Sequence, residues 1–86
     1  MTLEEQFNTA AADSKNLSAR PDNATLLKLY SLYKQATVGD NTGGAPTNSF
    51  DFVARAKSDA WAEFAGTSKE TAMQQYVDLV TQLKNR

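Results

Sequence analysis

Apolar residues recur along this chain at intervals of three and four positions, which is the spacing of helices that bury one face. The first and last segments show this most clearly, and each opens with a threonine followed three positions later by a glutamate, Thr2 with Glu5 and Thr67 with Glu70. Their stripes consist of Phe7, Ala10, Ala11, Ser14 and Leu17 in the first and Met73, Tyr76, Val77, Val80 and Leu83 in the last. No sustained period-two pattern predicts a strand, so we expect an all-α fold.

Two further helices are predicted in the middle of the chain. The second should run from about Asn23 to Val38, after a break at Arg20–Asn23 that offers N-cap residues. Its apolar residues cover more than one stripe, so this helix should contact several neighbours, or neighbours and a ligand. The third helix should occupy Phe50–Phe64, and Gly66 suits its C-terminal exit. The four segments together predict a helical bundle.

The segment between the second and third helices, Gly39–Asn48, is rich in Gly, Asn and Thr and is predicted to be a loop. About ten extended residues span roughly 30 Å at ~3.3 Å each. A four-turn helix measures only roughly 22 Å at ~5.4 Å per turn. The chain can therefore cross the bundle and start the third helix parallel to the second. With 86 residues there is room for one hydrophobic core, so we expect a single domain over residues 1–86.

The composition excludes several classes of function. Net charge is −1, from nine Lys plus Arg and ten Asp plus Glu, so the basic excess typical of nucleic-acid binding is missing. The chain has no cysteine and no histidine, which removes the thiolate nucleophile, the Ser-His-Asp relay and the imidazole and thiolate metal ligands. No pair of carboxylates stands out as an acid–base or metal site. We therefore expect no catalysis, no metal and no cofactor.

Targeting signals are not evident in the sequence. The residues Met1–Glu5 are acidic and lack the apolar run of a signal peptide. No stretch approaches the roughly 20 apolar residues of a membrane span. On these grounds we expect a cytoplasmic protein without stable membrane insertion.

The second helix carries the clearest candidate chemistry. Tyr30, Tyr33 and Lys34 lie at i, i+3 and i+4, so two phenols and an ammonium project from one side of this helix. Aromatic faces can stack on a planar ring and an ammonium can pair with an anion, which together suit a nucleotide. The alternative is two core tyrosines beside a solvated lysine. Taken alone, Lys57 fits a solvated helix face and Tyr76 fits the core.

Two other residues have structural interpretations. Trp61 combines a large apolar area with one N–H, which predicts core packing. Asp40 follows Gly39 in a turn sequence and should cap that turn. The run Gly39–Gly44 lacks the Gly-Lys-Ser/Thr ending and the preceding strand of a phosphate-binding P-loop, so we set that function aside.

The run Tyr30–Asp40, with the sequence Tyr-Ser-Leu-Tyr-Lys-Gln-Ala-Thr-Val-Gly-Asp, resembles the signature stretch of the acyl-CoA-binding protein family. Further blocks agree in order and spacing: Asp51-Phe52, Ala56-Lys57, Asp59-Ala60-Trp61, Gly66-Thr67-Ser68-Lys69-Glu70, Ala72-Met73 and Tyr76. The N-terminal matches are Phe7, Ala11, Leu17 and Pro21. The resemblance covers nearly the whole chain.

This resemblance implies a four-helix up-down-down-up bundle that binds long-chain fatty acyl-CoA esters. It implies that Tyr30, Lys34 and Lys57 meet the 3′-phosphate on the CoA ribose. Further nucleotide contacts implied by the resemblance are stacking of Tyr33 on adenine, a contact from Tyr76 and a basic contact from Lys15. The residues implied for the acyl-chain groove are Leu26, Leu27 and Ala10 or Ala11. The implied function is a monomeric carrier that buffers acyl-CoA and delivers it to acyl-CoA-using enzymes.

The chain departs from the family pattern at three places. Val53 stands where the family commonly has a lysine near the phosphates, and Ser58 stands where many members have a tryptophan. The crossover loop is one residue longer than usual. These departures bear on affinity and on the preferred acyl-chain length. A competing class of function is a helical interaction module whose apolar groove binds a partner helix.

Overall fold

In the computed structural model, which describes residues 1–41 and 52–85, the chain forms four α-helices and no strand within those ranges. The helices are α1 (Leu3–Asp13), α2 (Asn23–Thr37), α3 (Phe52–Ala62) and α4 (Lys69–Lys84). The all-α prediction is therefore confirmed. Most of the predicted crossover, and the predicted start of the third helix at Phe50, lie outside the described residues. None of the helices in the described ranges is long and apolar enough to span a membrane.

The N-terminus of α1 has the predicted capping box, but its C-terminus comes earlier than the apolar stripe indicates. Thr2 Oγ1 accepts a hydrogen bond from the Glu5 backbone N–H at 3.1 Å, and the Thr2 N–H donates to the Glu5 carboxylate. The helix ends at Asp13, so Ser14 and Leu17 lie beyond it. Backbone bonds after this point span three residues, which tightens the chain into turns. Leu17 nevertheless packs against the core.

The N-cap of α4 is Ser68, which corrects the prediction of Thr67. Ser68 has an extended backbone, and its Oγ accepts a hydrogen bond from the Thr71 N–H at 3.1 Å. The Thr67 backbone is already engaged, because its N–H donates to the Phe64 carbonyl and its carbonyl accepts from Gln35 Nε2. The helix therefore starts one residue later than the Thr67–Glu70 spacing indicates.

The core is built by α1, α2 and α4. Its buried residues are Phe7, Ala10, Leu29, Leu32, Ala36, Ala72, Tyr76, Val80 and Leu83. The described part of α3 contributes no fully buried residue, and its Phe52 and Val53 are 75% and 65% exposed. Since α3 packs against α2 rather than entering this core, its apolar side chains are left to form an open surface.

Contacts between helix ends give the directions of the helices. Trp61 Nε1 donates to the Gly39 carbonyl at 2.8 Å, so the C-terminal ends of α2 and α3 are adjacent. Lys84 Nζ lies 2.9 Å from an Asp13 carboxylate oxygen, which joins the C-terminal ends of α1 and α4. Gln35, near the end of α2, donates to the carbonyl of Thr67, which precedes the N-cap of α4. The order of directions is therefore up-down-down-up, with α3 parallel to α2 as the loop length predicts.

Asp40 does more than cap its own turn, which is all that the sequence predicts for it. Its carboxylate accepts from Gln35 Nε2 at 2.7 Å and from the Gly66 N–H at 2.9 Å. Gly39 and Gly66 have φ of 99° and 88°, a region that favours glycine. The two hydrogen bonds to the Asp40 carboxylate hold its pKa below the ordinary value of 3.8, and the bond from Gln35 is the main cause. The charged carboxylate thus ties the end of α2 to the turn between α3 and α4.

Candidate functional site

A groove with a volume of about 690 Å³ lies between the N-terminal halves of α2 and α3. It is lined by Arg20, Asn23, Leu26, Leu27, Tyr30, Phe52, Val53, Ala56 and Lys57. The middle of this lining is apolar, and the charged residues among its described members, Arg20 and Lys57, are cations. The groove exists because α3 packs against α2 without burying its own apolar face. That face and the half-buried leucines of α2 therefore remain available to a ligand.

Two ammonium groups converge on the ring of Tyr30. Lys34 Nζ lies 5.9 Å from the ring centroid and Lys57 Nζ lies 5.3 Å from it, one from α2 and the other from α3. Lys34 Nζ also lies 5.8 Å from the ring centroid of Trp61. Within residues 1–41 and 52–85, Lys84 and Asp13 form the ion pair. Neither Lys34 nor Lys57 is paired with a carboxylate of those residues. The arrangement places uncompensated positive charge beside an aromatic ring, which favours an anion such as a phosphate.

An aromatic cluster of Phe7, Tyr33 and Tyr76 joins α1, α2 and α4 next to Tyr30. The rings of Phe7 and Tyr33 are stacked, with centroids 5.5 Å apart and planes inclined by 22°. Tyr76 lies at a tilt to both, 5.0 Å from Phe7 and 6.1 Å from Tyr33. Tyr33 is 42% exposed although Phe7 is buried against it. One face of Tyr33 is therefore supported from below while the side chain remains accessible to a planar group.

A smaller pocket of about 360 Å³ opens beside this cluster. It is lined by Ala11, Ser14, Lys15, Leu29, Tyr30, Tyr33 and Tyr76. The Tyr76 hydroxyl donates to Ser14 Oγ at 3.2 Å, and Ser14 Oγ donates to the Ala11 carbonyl at 2.7 Å. Burial raises the pKa of Tyr76 above its usual value, so its phenol stays protonated at neutral pH. Tyr30 lines both depressions and connects this pocket with the groove.

The structure brings most of the predicted site residues together and leaves one apart. Lys15, Tyr30, Tyr33 and Tyr76 share the small pocket, and Tyr30 meets Lys57 and both leucines in the groove. Ala11 lines the small pocket, whereas Ala10 is buried in the core and borders a separate depression against α4. Lys34 belongs to the same group of residues because its ammonium lies beside the Tyr30 ring. Of the two alanines considered for the groove, Ala10 lies outside both depressions.

Several residues of the site were missed by the sequence reasoning. Arg20 and Asn23 line the groove although the sequence reasoning assigns them only to the break before α2. Phe7, read as part of an apolar stripe, supports the stacked face of Tyr33. Phe52 could have been found, because it shares the i, i+4 row of Ala56 on the predicted third helix. Arg20 had no such signal, since it precedes the helix.

The arrangement has the features of a binding site for an amphiphile. It joins two cations and an exposed aromatic face to an apolar groove, which fits an amphiphile with an anionic, aromatic headgroup. In the part of the chain that the structure describes, no cluster of carboxylates could hold a metal ion. Asp40, a carboxylate with a shifted pKa, is occupied by its structural bonds.

Comparison with known proteins identifies the family. A family model described as "Acyl CoA binding protein" matches residues 4–80. The chain is 49% identical over 83 residues to Acyl-CoA-binding protein homolog 1 of Caenorhabditis elegans, covering 96% of this chain and 93% of that protein. It is 42% identical over 83 residues to an Acyl-CoA-binding protein homolog of Manduca sexta, covering 96% and 92%. The crystal structure of Oryza sativa Acyl-CoA-Binding Protein 2 matches with a TM-score of 0.92 at 44% identity, covering 98% of this chain and 92% of that one. This chain belongs to the acyl-CoA-binding protein family.

Proposed function

We propose that this chain binds long-chain fatty acyl-CoA esters, with the CoA nucleotide around Tyr30 and Tyr33 and the acyl chain in the groove between α2 and α3. The observation that carries the proposal is the position of Tyr30. Its ring has two ammonium groups 5.9 and 5.3 Å from its centroid, neither paired with a carboxylate of residues 1–41 or 52–85, and it also lines the apolar groove. A ligand that satisfies both needs phosphate and hydrocarbon in one molecule.

The 3′-phosphate of CoA is assigned to Tyr30, Lys34 and Lys57. A phosphate dianion beside two ammonium groups gains charge-assisted hydrogen bonds of roughly 1.5–3 kcal/mol each. Both lysines already contact the Tyr30 ring, so part of their side-chain freedom is lost before the ligand arrives. Free CoA and its thioesters share this phosphate, so this contact selects the headgroup and does not distinguish an ester from CoA.

The adenine is assigned to the accessible side of Tyr33. Support of this ring by Phe7 keeps the stacking surface in place without the ligand. Lys15 and Tyr76 line the same pocket and supply a cation and a phenol to the nucleotide. The Tyr76 hydroxyl already donates to Ser14, so it would accept a hydrogen bond from the ligand.

The acyl chain is assigned to Leu26 and Leu27, with Ala11 near the nucleotide side. Burial of each methylene contributes ~0.8 kcal/mol before ordering costs are subtracted. Affinity should therefore rise with chain length until the groove is full. Val53, which stands where the family commonly has a lysine, adds apolar lining to this groove. Ser58 instead accepts hydrogen bonds from Asn41 Nδ2 at its Oγ and its carbonyl.

The activity proposed is carriage without chemistry. Residues 1–86 would act as one acyl-CoA-binding domain, monomeric and cytoplasmic, that needs no cofactor. It would hold the ester away from membranes and release it to acyl-CoA-using enzymes. The absence of histidine and cysteine from the sequence supports this proposal over a thioesterase.

Calorimetric titration with palmitoyl-CoA, CoA and palmitate tests the proposal. Palmitoyl-CoA should bind most tightly, CoA more weakly and palmitate weakest, because only the ester uses both the cations and the groove. A matched assay for free thiol over several hours should show none. Equal affinity for palmitate and palmitoyl-CoA would contradict the headgroup assignment. Binding of an amphipathic helical peptide but of no acyl-CoA would favour the interaction module instead.

A further inference from the structure

The groove between α2 and α3 has a cation at each end. Lys57 and Tyr30 lie at one end, and Arg20 and Asn23 line the other. Asn23 and Tyr30 are seven residues apart on α2, which corresponds to about 10 Å along the helix axis at ~1.5 Å per residue. Leu26 and Leu27 lie between them on the same helix. A linear chain lying along this groove would therefore start beside one cation and end beside another.

The Arg20 guanidinium is available to a ligand. The side chain is exposed, and within residues 1–41 and 52–85 it forms no hydrogen bond and no ion pair. Among the described residues that line the groove there is no carboxylate that could neutralise it. An arginine presents a planar fork of N–H donors that matches a carboxylate in two parallel hydrogen bonds. An apolar methyl group arriving at this end of the groove would leave those donors to water.

We propose that Arg20 binds a carboxylate at the far end of the acyl chain, so that the groove accepts CoA monothioesters of dicarboxylic acids. The proposal rests on the assignment of acyl-CoA to this site and adds a ligand class to it. In an extended chain each carbon–carbon bond advances about 1.25 Å. With the pantetheine arm folded back so that the thioester lies beside Tyr30, a chain of about ten carbons fits the distance from Tyr30 to Asn23, and the Arg20 side chain meets the terminal carboxylate. Shorter diacids would leave their carboxylate over the leucines, where it is costly to desolvate.

The test compares matched pairs of ligands on matched variants. Decanoyl-CoA and the CoA monothioester of decanedioic acid differ only at the far end of the chain, and their affinities are measured by calorimetry at low and high salt. Arg20→Gln keeps hydrogen-bond donors but removes the charge. Arg55→Gln is the control, because Arg55 is an exposed arginine on α3 that does not line the groove.

We expect Arg20→Gln to weaken the decanedioic ester about twofold to fivefold more than it weakens decanoyl-CoA, the range for an exposed ion pair. The difference should shrink at high salt and should be absent for the hexanedioic ester, whose carboxylate cannot reach Arg20. Arg55→Gln should affect neither ligand.

Two results would overturn the inference while leaving acyl-CoA binding intact. Equal weakening of both ten-carbon esters by Arg20→Gln would mean that the arginine contacts the CoA phosphates. No effect on either ester would mean that it remains solvated. Failure of the unmodified chain to bind both decanoyl-CoA and palmitoyl-CoA would instead refute the assignment of acyl-CoA to this site, and the inference with it.

Discussion

Replacing Lys34 with alanine should weaken palmitoyl-CoA binding through the 3′-phosphate alone. The ammonium of Lys34 lies over both Tyr30 and Trp61 and lacks a carboxylate partner among the described residues, so a phosphate can use it fully. A charge-assisted hydrogen bond contributes roughly 1.5–3 kcal/mol. Lys57 remains to meet the phosphate, so we expect a loss of about 2 kcal/mol, close to thirtyfold in the dissociation constant.

The assay is a cycle of two proteins and two ligands, palmitoyl-CoA and its 3′-dephospho analogue. The wild-type chain should lose affinity when the phosphate is removed, and Lys34→Ala should bind the two ligands with a much smaller difference. Lys28→Ala is the matched control, because Lys28 is an exposed lysine on the same helix and lines neither depression. Thermal unfolding of each variant separates a loss of binding from a loss of fold. Lys34→Ala gives up two cation–π contacts, which should lower Tm by only a few degrees.

The reasoning fails if Lys34→Ala weakens both ligands by the same factor, since the lysine would then serve another part of CoA. It also fails if Lys28→Ala has an equal effect, because the general positive potential of α2 would then explain the loss.

Four further predictions follow from the same geometry. Tyr33→Ala should weaken palmitoyl-CoA and its dephospho analogue alike, by about 1–3 kcal/mol of lost stacking in calorimetry, and a phosphate-dependent loss would contradict this. Val53→Lys should tighten palmitoyl-CoA by ~0.3–1 kcal/mol at low salt with Tm unchanged, because Val53 is exposed one turn before Lys57; a lower Tm without tighter binding would refute it. The Asp40 carboxylate has a lowered pKa, so its contribution to the stability of the fold should be complete above about pH 3.8 and should decrease as the pH falls through its folded pKa. The Tm difference between wild type and Asp40→Asn should therefore shrink on acidification. Palmitoyl-CoA should slow amide hydrogen exchange in α3 more than in α4, because α3 has no buried residue of its own, and uniform protection would contradict this.

The position of α3 links the stability of the bundle to its function. Helices α1, α2 and α4 bury their stripes against one another, and none of the buried core residues comes from α3. The contacts that join α3 to the end of α2 include the bond from the Trp61 N–H to the Gly39 carbonyl and the bond from Asn41 to Ser58. The N-terminal end of α3 instead presents Phe52 and Val53 to the groove. A ligand that covers Phe52 and Val53 would remove from water the apolar surface that the protein alone leaves exposed.

Much of the local structure was determined by the sequence itself. The capping box at Thr2 and the apolar stripe of α4 depend on residues within a few positions of one another, and both are confirmed. Gly66 has the left-handed φ of a helix exit, but α3 ends at Ala62, two residues before the predicted Phe64. The alignment of Tyr30 with Lys34 on α2 follows in the same way from helical geometry. Errors of one to four residues occurred where local signals compete, at the C-terminus of α1 and at Thr67, whose backbone is held by a side chain from α2.

The site itself was decided by tertiary structure. No spacing in the sequence states that Lys57 on α3 approaches the ring of Tyr30 on α2, since that depends on how two separate helices pack. Phe7 supports Tyr33 across a gap of 26 positions, and whether Ala10 or Ala11 is buried depends on the rotation of α1 against α4. Arg20 reaches the groove from a segment without helical periodicity. Helical periodicity specifies which residues share a face, but only packing specifies which faces meet, and the proposed binding site lies where two of them do.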